Sequence, residues 1–148
     1  MSATNAFETS LLQHIFQNAA IANIGDVTGL PASATAGSFF VSLHTADPGE
    51  AGAQNTSEVS YTGYARQAVA RSSAGWTVSG NNASNAAAIA FGPCTAGSAT
   101  ITHWGIGTAS SGAGNLLFKG ALSASISVTT SSNATQTFAI GALDVDVD

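Results

Sequence analysis

The sequence is short of charge, above all of positive charge. Charged residues make up 7% of its 148 residues, against roughly 25% in an average soluble domain. The formal net charge is −5, and the basic residues are Arg66, Arg71 and Lys119. Nucleic acids and anionic membrane surfaces are bound through clusters of basic side chains. We therefore expect neither nucleic acid nor a membrane among the partners.

The sequence also lacks the features of membrane, secreted and disulfide-bonded proteins. The longest apolar run is far below the ~20 residues of a membrane-spanning helix, and residues 1–5 lack the charged start of a secretory signal. Cys94 is the single cysteine, so an internal disulfide is excluded and we expect a small buried or loop thiol. A chain of this length has the size of one domain with a sizeable core.

What the chain has in quantity is small residues. Gly, Ala, Ser, Thr and Asn dominate, which suits thin β-layers and close turns better than helices with salt-bridged outer faces. A surface with few charges has little to keep it away from neighbouring molecules. This favours a subunit packed in an assembly over the alternative, a stable isolated extracellular domain.

Residues 5–18 carry the one clear helical pattern. Asn5 is the predicted N-cap and Glu8 its capping-box partner, with the Glu8 side chain facing away from the apolar face. The apolar stripe packs either on its own sandwich or on a neighbouring subunit. The stripe consists of Phe7, Leu11, Leu12, Ile15 and Phe16.

The first strand pattern follows a connecting arm over residues 19–37. Phe39, Val41 and Leu43 alternate with a mixed face that includes His44, which we interpret as a polar residue at the strand end. Asp47-Pro48-Gly49 ends the strand. We expect residues 48–60 to form an exposed loop suited to contacting a partner.

The remaining chain is read as strands and turns. The final strand pattern changes phase, which predicts a bulge or kink at Gly141-Ala142, and Gly105 and Gly107 allow a bulge or a close backbone contact. The fold class is therefore all-β, an antiparallel, jelly-roll-like β-sandwich of about eight strands with an N-terminal helix and arm. We expect residues 1–37 to be the helix and arm and 38–148 the sandwich domain. The predicted strands cover 38–45, 61–73 (a long or edge strand defended by arginines), 75–79, 83–91, 99–107, 115–122, 124–130 and 135–148.

Few residues point to chemistry. His14, His44 and His103 have no metal-ligand spacing, so we interpret them as structural, with a zinc site assembled in space as the lesser alternative. Asp144 and Asp146, with Asp148, would share one strand face at roughly 6–7 Å spacing, which suits a solvated acidic face better than a calcium site.

Catalytic motifs are also missing. The sequence contains neither a G-x-S-x-G elbow nor a phosphate-binding loop. We therefore expect no enzymatic activity, no cofactor and no metal. Tyr61, Tyr64, Trp76 and Trp104 are candidates for glycan stacking, although core or interface positions are the simpler interpretation.

Several segments together resemble a family of small tailed-phage virion proteins that are labelled tail fibre proteins. The resemblance spans nearly the whole chain and begins with the Leu/Phe helix. It implies a virion structural protein and carries no catalytic residue. The further matching segments are Phe40–Gly49 (FVSLHTADPG), Thr62–Arg66 (TGYAR), Thr102–Ile106 (THWGI), Asn115–Leu122 (NLLFKGAL) and Phe138–Leu143 (FAIGAL).

Taken together, these features predict a non-enzymatic bacteriophage structural protein, assembled in the host cytoplasm and located in the virion. A capsid decoration (cement) protein is the first expectation, and a tail fibre or collar component or a glycan-binding attachment module is the alternative. The expected partners are further copies, as a homotrimer, and phage coat or tail proteins. The predicted contact residues are Phe7, Leu11, Ile15, Glu50, Tyr61, Tyr64 and Trp104.

Overall fold

A computed structural model describes residues 2–132 and 135–147. The described chain forms two compact units. The first, here the helix unit, comprises residues 2–38, 69–89 and 138–147, and the second, the sheet unit, comprises residues 39–68, 90–132 and 135–137. The predicted division at residues 37 and 38 stays a prediction.

Within the described residues there are one helix and nine strands, and the sheets are antiparallel. The predicted class, an all-β sandwich with an N-terminal helix, is confirmed. The elements are α1 (Asn5–Gln17), β1 (Ser38–His44), β2 (Gln67–Ala70), β3 (Trp76–Ser79), β4 (Asn82–Asn85), β5 (Ile89–Ala90), β6 (Ser98–Gly107), β7 (Leu116–Thr129), β8 (Thr137–Phe138) and β9 (Asp144–Asp146).

The helix unit is organised around α1. Leu12 and Phe16 are fully buried, and the Phe16 ring lies 4.6 Å from the buried Trp76 ring of β3. The predicted stripe is therefore core on this side, whereas Phe7 is 42% exposed. The predicted cap is wrong: Thr4 precedes the helix and Asn5 is its first residue, so the Asn5 side chain is in no position to cap.

Arg71 terminates α1 at the other end. Its Nε donates to Ile15 O at 2.7 Å and its Nη2 to His14 O at 2.9 Å. A cation satisfies the last carbonyls of a helix and interacts favourably with the negative end of its dipole. Arg71 therefore follows β2, which is an edge strand as one of the two predicted alternatives had it, and its side chain binds the helix end.

The helix unit also contains a three-stranded sheet in the order β3-β4-β9. The predicted single strand at 135–148 is instead two short strands, separated by a turn in which Gly141 has a φ of 73°. The kink predicted at this place is confirmed, since the chain leaves the strand there. The predicted strand 83–91 is likewise wrong as one element, because β4 ends at Asn85 and β5 begins at Ile89.

The sheet unit contains most of the four-stranded sheet, in the order β2-β1-β6-β7. In this sheet β1 is central, and Leu43 lies opposite Trp104 while His44 lies opposite His103. The predicted strands 115–122 and 124–130 are one continuous strand, β7, at the sheet edge. Register shifts next to Gly107 confirm the predicted irregularity in β6.

The predicted strand at 61–73 is mostly wrong. Only Gln67–Ala70 is strand, and residues 61–66 form a turn and loop. Tyr61 is buried there, and its hydroxyl donates to Gly92 O at 3.0 Å. The mixed polar and apolar pattern of residues 61–66 suggested a half-covered strand. It belongs instead to a loop whose side chains point into the core.

Candidate functional site

The closest approach to catalytic geometry is a serine–histidine pair on β1. Ser42 Oγ lies 2.9 Å from His44 Nε2, and His44 Nδ1 lies 2.8 Å from the carbonyl oxygen of Thr56. Because a carbonyl only accepts, Nδ1 carries the proton and Nε2 accepts from the serine hydroxyl. Burial lowers the pKa of His44 below its ordinary value, although the bond to Thr56 opposes this change.

This pair is closed to any substrate. Both side chains have zero exposed surface. In the described chain, the third position of a catalytic triad is occupied by a backbone carbonyl instead of a carboxylate. The arrangement therefore satisfies buried polar groups on the second face of β1. His44 is the last residue of β1, as predicted, and its side chain is buried in the core.

The segment that closes this face is the predicted exposed loop 48–60. Gln54 is fully buried, and its Nε2 donates to Phe40 O at 2.7 Å while its Oε1 accepts from Ala109 N at 3.2 Å. Its own backbone N–H donates to Gly114 O at 2.8 Å. The expectation of a wholly exposed loop is therefore wrong, because Gln54 anchors the loop on the sheet.

A second buried network joins Glu58, Tyr64 and Arg66. The Arg66 guanidinium donates to both carboxylate oxygens of Glu58 at 2.7 Å, and the Tyr64 hydroxyl donates to Oε1 at 2.8 Å. Arg66 also donates to the carbonyls of Ala109 and Gly112 in the loop after β6. The bonds to Glu58 raise the pKa of Arg66, and burial raises the pKa of Tyr64.

The predicted contact residues lie in several places. On α1, Phe7 is exposed while Leu11 and Ile15 are half-buried, each four residues from the next. Tyr61 and Tyr64 meet edge to face with centroids 5.6 Å apart, and both are bonded to their own chain.

The other two contact residues belong to β7 and its surroundings. Trp104 is half-buried and its ring covers Gly120 on β7, where an added Cβ would lie 2.5 Å from Trp104 Cζ2. Glu50 is exposed and accepts from Lys119 Nζ at 3.1 Å, as Asp47 does at 3.0 Å. The bond from Gly49 N–H, followed by the Lys119 contact, lowers the pKa of Asp47.

The acidic run at the C-terminal end lies on β9. The Asn82 side chain donates to Asp146 Oδ1 at 2.9 Å and approaches Asp144 Oδ2 at 3.5 Å. Asp148 lies outside the described residues. In the described chain no group of three or more His, Cys, Asp or Glu side chains converges as metal ligands do. A helix that is long and apolar enough to cross a membrane is likewise not found in that part of the chain.

Comparison with known families gives the decisive observation. Residues 2–146 match the family described as Podophage GP4 fiber I protein gp80. The chain belongs to this family. A phage fibre-type virion structural protein is therefore the class of the molecule, which confirms the resemblance found in the sequence.

Membership of the podophage fibre family places the protein among virion components. The family gives no support for capsid decoration. No curated protein matches the chain.

Most of the buried network had no recognisable sequence signal. Glu58 and Arg66 are eight residues apart in a segment read as loop and strand, and Gln54 lies among small polar residues. Of these residues, Tyr64 alone is a predicted contact residue, and that prediction rests on its aromatic ring and not on its hydroxyl. These residues contact each other, β1 and the loop after β6, so the local periodicity of the sequence does not indicate their contacts.

Proposed function

We propose that the protein is a non-enzymatic structural subunit of a podophage tail fibre. The match of residues 2–146 to a family named for a fibre protein carries this proposal. Capsid decoration, which small size and low charge favoured, is not the function that this family name suggests, so the fibre alternative replaces it.

The internal construction of the sheet unit supports a structural role. Three of its polar side chains, Gln54, Glu58 and Arg66, bind the loops around the sheet to each other. The Ser42–His44 pair, which could have served as a nucleophile, lies in the interior. Such networks favour one rigid arrangement of the loops over several.

The proposed partners are further copies of the chain, as a homotrimer, and a neighbouring tail protein. Phe7, with the half-buried Leu11 and Ile15 behind it, is the candidate contact on α1. Glu50 and Trp104 are candidate contacts of the sheet unit. An apolar side chain that is exposed in the isolated chain gains free energy when a partner covers it.

The test is to locate and count the protein in purified particles. Gold-labelled antibody should bind at the tail, and quantitative mass spectrometry should give a copy number that is a small multiple of the tail symmetry. Labelling over the head, with a copy number that scales with the coat protein, would replace this proposal with capsid decoration.

A further inference from the structure

Glu8 is a largely buried residue whose carboxylate has no partner among the described residues. Its residue surface is 7% exposed, in contrast to the outward position that the helical pattern predicts. Its backbone N–H donates to Thr4 O at 3.0 Å, but no hydrogen bond or ion pair within residues 2–132 and 135–147 reaches its side chain. The carboxylate oxygens are not among the buried unpaired atoms of the described chain, so they stay accessible and can accept hydrogen bonds from a ligand.

The carboxylate lines a surface pocket of about 310 Å³. The pocket lies within the helix unit, between the start of α1 and the turn that joins β3 to β4. The Thr9 hydroxyl donates to Gly80 O at 2.8 Å and so ties this turn to α1. The other lining residues are Ser2, Ala3, Asn5, Gly80 and Asn81.

The chemistry of this lining fits a single positive charge. One carboxylate, two side-chain amides, a hydroxyl and a backbone carbonyl offer several acceptors for N–H donors. A calcium ion takes 6–8 oxygen ligands and usually several carboxylates, whereas this pocket has one. The positive end of the α1 dipole also offsets part of the Glu8 charge. One carboxylate with several neutral acceptors therefore suits a lysine ammonium or an arginine guanidinium better than a divalent metal.

The chain's own basic side chains are engaged elsewhere. Arg66 is paired with Glu58, and Lys119 with Asp47 and Glu50. Arg71 holds the opposite end of α1. A second copy of the chain would have to break one of these contacts to fill the pocket, so a different protein is the better source of the cation.

We propose that the Glu8 pocket binds a lysine or arginine side chain of a neighbouring virion protein. This proposal rests on the proposed function as a structural subunit, since the partner is taken to be another component of the particle. Glu8 contributes the charge, and Asn5 and Asn81 contribute additional acceptors. The site would thus orient the N-terminal end of α1 against the partner.

The first experiment probes the pocket in the isolated full-length chain. N-acetyl-lysine-N-methylamide and N-acetyl-arginine-N-methylamide are titrated while backbone amide resonances are followed by NMR, with the neutral methionine analogue and CaCl₂ as comparison ligands. Saturable shifts at Glu8, Gly80 and Asn81 are expected for the cationic amides. Binding should weaken about tenfold or more in Glu8→Gln, which keeps the side-chain shape.

Asp26→Asn is the matched control, because it removes an exposed carboxylate that is not a candidate contact and should leave this binding unchanged. Unaltered far-UV circular dichroism and thermal midpoint establish that Glu8→Gln folds. The proposal is overturned if the cationic amides do not saturate, if the methionine analogue binds equally well, if only calcium binds, or if Glu8→Gln binds as tightly as the natural chain.

The second experiment tests the partner. Phage carrying Glu8→Gln should contain fewer copies of the protein per particle than phage carrying Asp26→Asn. Natural copy number in the Glu8→Gln particles, despite lost binding of the cationic amides, would refute a virion protein as the occupant. Absence of the natural protein from particles would instead refute the proposed function, while the probe titration still decides whether the pocket binds a cation.

Discussion

At the scale of single residues, His44 has a consequence for the pH dependence of stability. Its imidazole is enclosed, and Glu58, Arg66 and His103 are the charged or titratable groups that act on it. Burial lowers the pKa of His44 in the folded chain, so the unfolded chain binds the proton more readily. The stabilisation from neutral His44 is complete above the unfolded pKa of about 6.5 and is lost as the pH falls below it.

We therefore expect the free energy of unfolding to decrease as the pH is lowered from 7.5 to 5, in part because of His44. Urea unfolding at a series of pH values measures this slope. His44→Gln, which retains a polar side chain, should reduce the slope while lowering stability at neutral pH. An identical slope in the variant would show that other groups carry the whole pH dependence.

Asn85 gives a second prediction at this scale. The side chain is 1% exposed, its Nδ2 donates to the carbonyls of Ala87 and Ala139, and its Oδ1 accepts from Leu143 N. Asn85→Ala leaves the buried N–H of Leu143 without its partner, which costs about 1–3 kcal/mol, and it also removes the bonds to Ala87 and Ala139. We expect a loss of at least about 2 kcal/mol in the free energy of unfolding.

The exposed Asn55 provides the control for this substitution. Asn55→Ala should change stability by less than about 0.5 kcal/mol, because a surface change away from such contacts has little effect. Chemical denaturation of both variants checks the difference. Equal stability of Asn85→Ala and Asn55→Ala would show that the turn before β9 does not depend on the amide.

At the scale of elements, β6 and β7 depend on an aromatic ring lying over a glycine. The Trp104 ring occupies the space that a side chain at Gly120 would need. Gly120→Val should displace the ring and cost about 1–3 kcal/mol by overpacking. A change in Trp104 fluorescence should accompany the loss, and it can be separated from the signal of buried Trp76 in a Trp76→Phe background.

Ala121→Val is the neighbouring control on the same strand. Ala121 is exposed and lies opposite His103, one residue along β7 from the pair of Gly120 and Trp104. The added methyl groups should be accommodated without loss of stability. If Gly120→Val were as stable as Ala121→Val and left the fluorescence unchanged, the ring would not be held by the glycine.

Elements with a local periodic pattern were predictable from sequence, whereas those defined by distant contacts were not. The α1 stripe and the alternation of β1 appear within a few residues, and the phase change at Gly141 marks a true break. By contrast, Asn85 is held by residues 139 and 143, and Arg66 by residues 109 and 112. Glu8 was misplaced because a polar residue in the first helical turn ordinarily faces water.

At the scale of the whole molecule, low charge bears on self-association. Three basic and eight acidic side chains in 148 residues leave most of the surface without charge. The edge strand β7 has Lys119 as its one charged residue, and that ammonium is bound by Asp47 and Glu50. An edge with so few charges is poorly protected against contact with another chain.

The homotrimer that we propose is tested by measuring the mass of the purified chain. Light scattering coupled to size exclusion should give three times 14.6 kDa. Because apolar contacts should dominate an interface of such weakly charged surfaces, the mass should remain the same in low and high salt.

Phe7→Lys places a charge on the exposed end of the α1 stripe and should weaken the trimer if α1 forms the interface. Val27→Lys, in the exposed arm, is the control. A monomer at every protein concentration would exclude self-assembly of the isolated chain, and a trimer that Phe7→Lys leaves intact would place the interface away from α1.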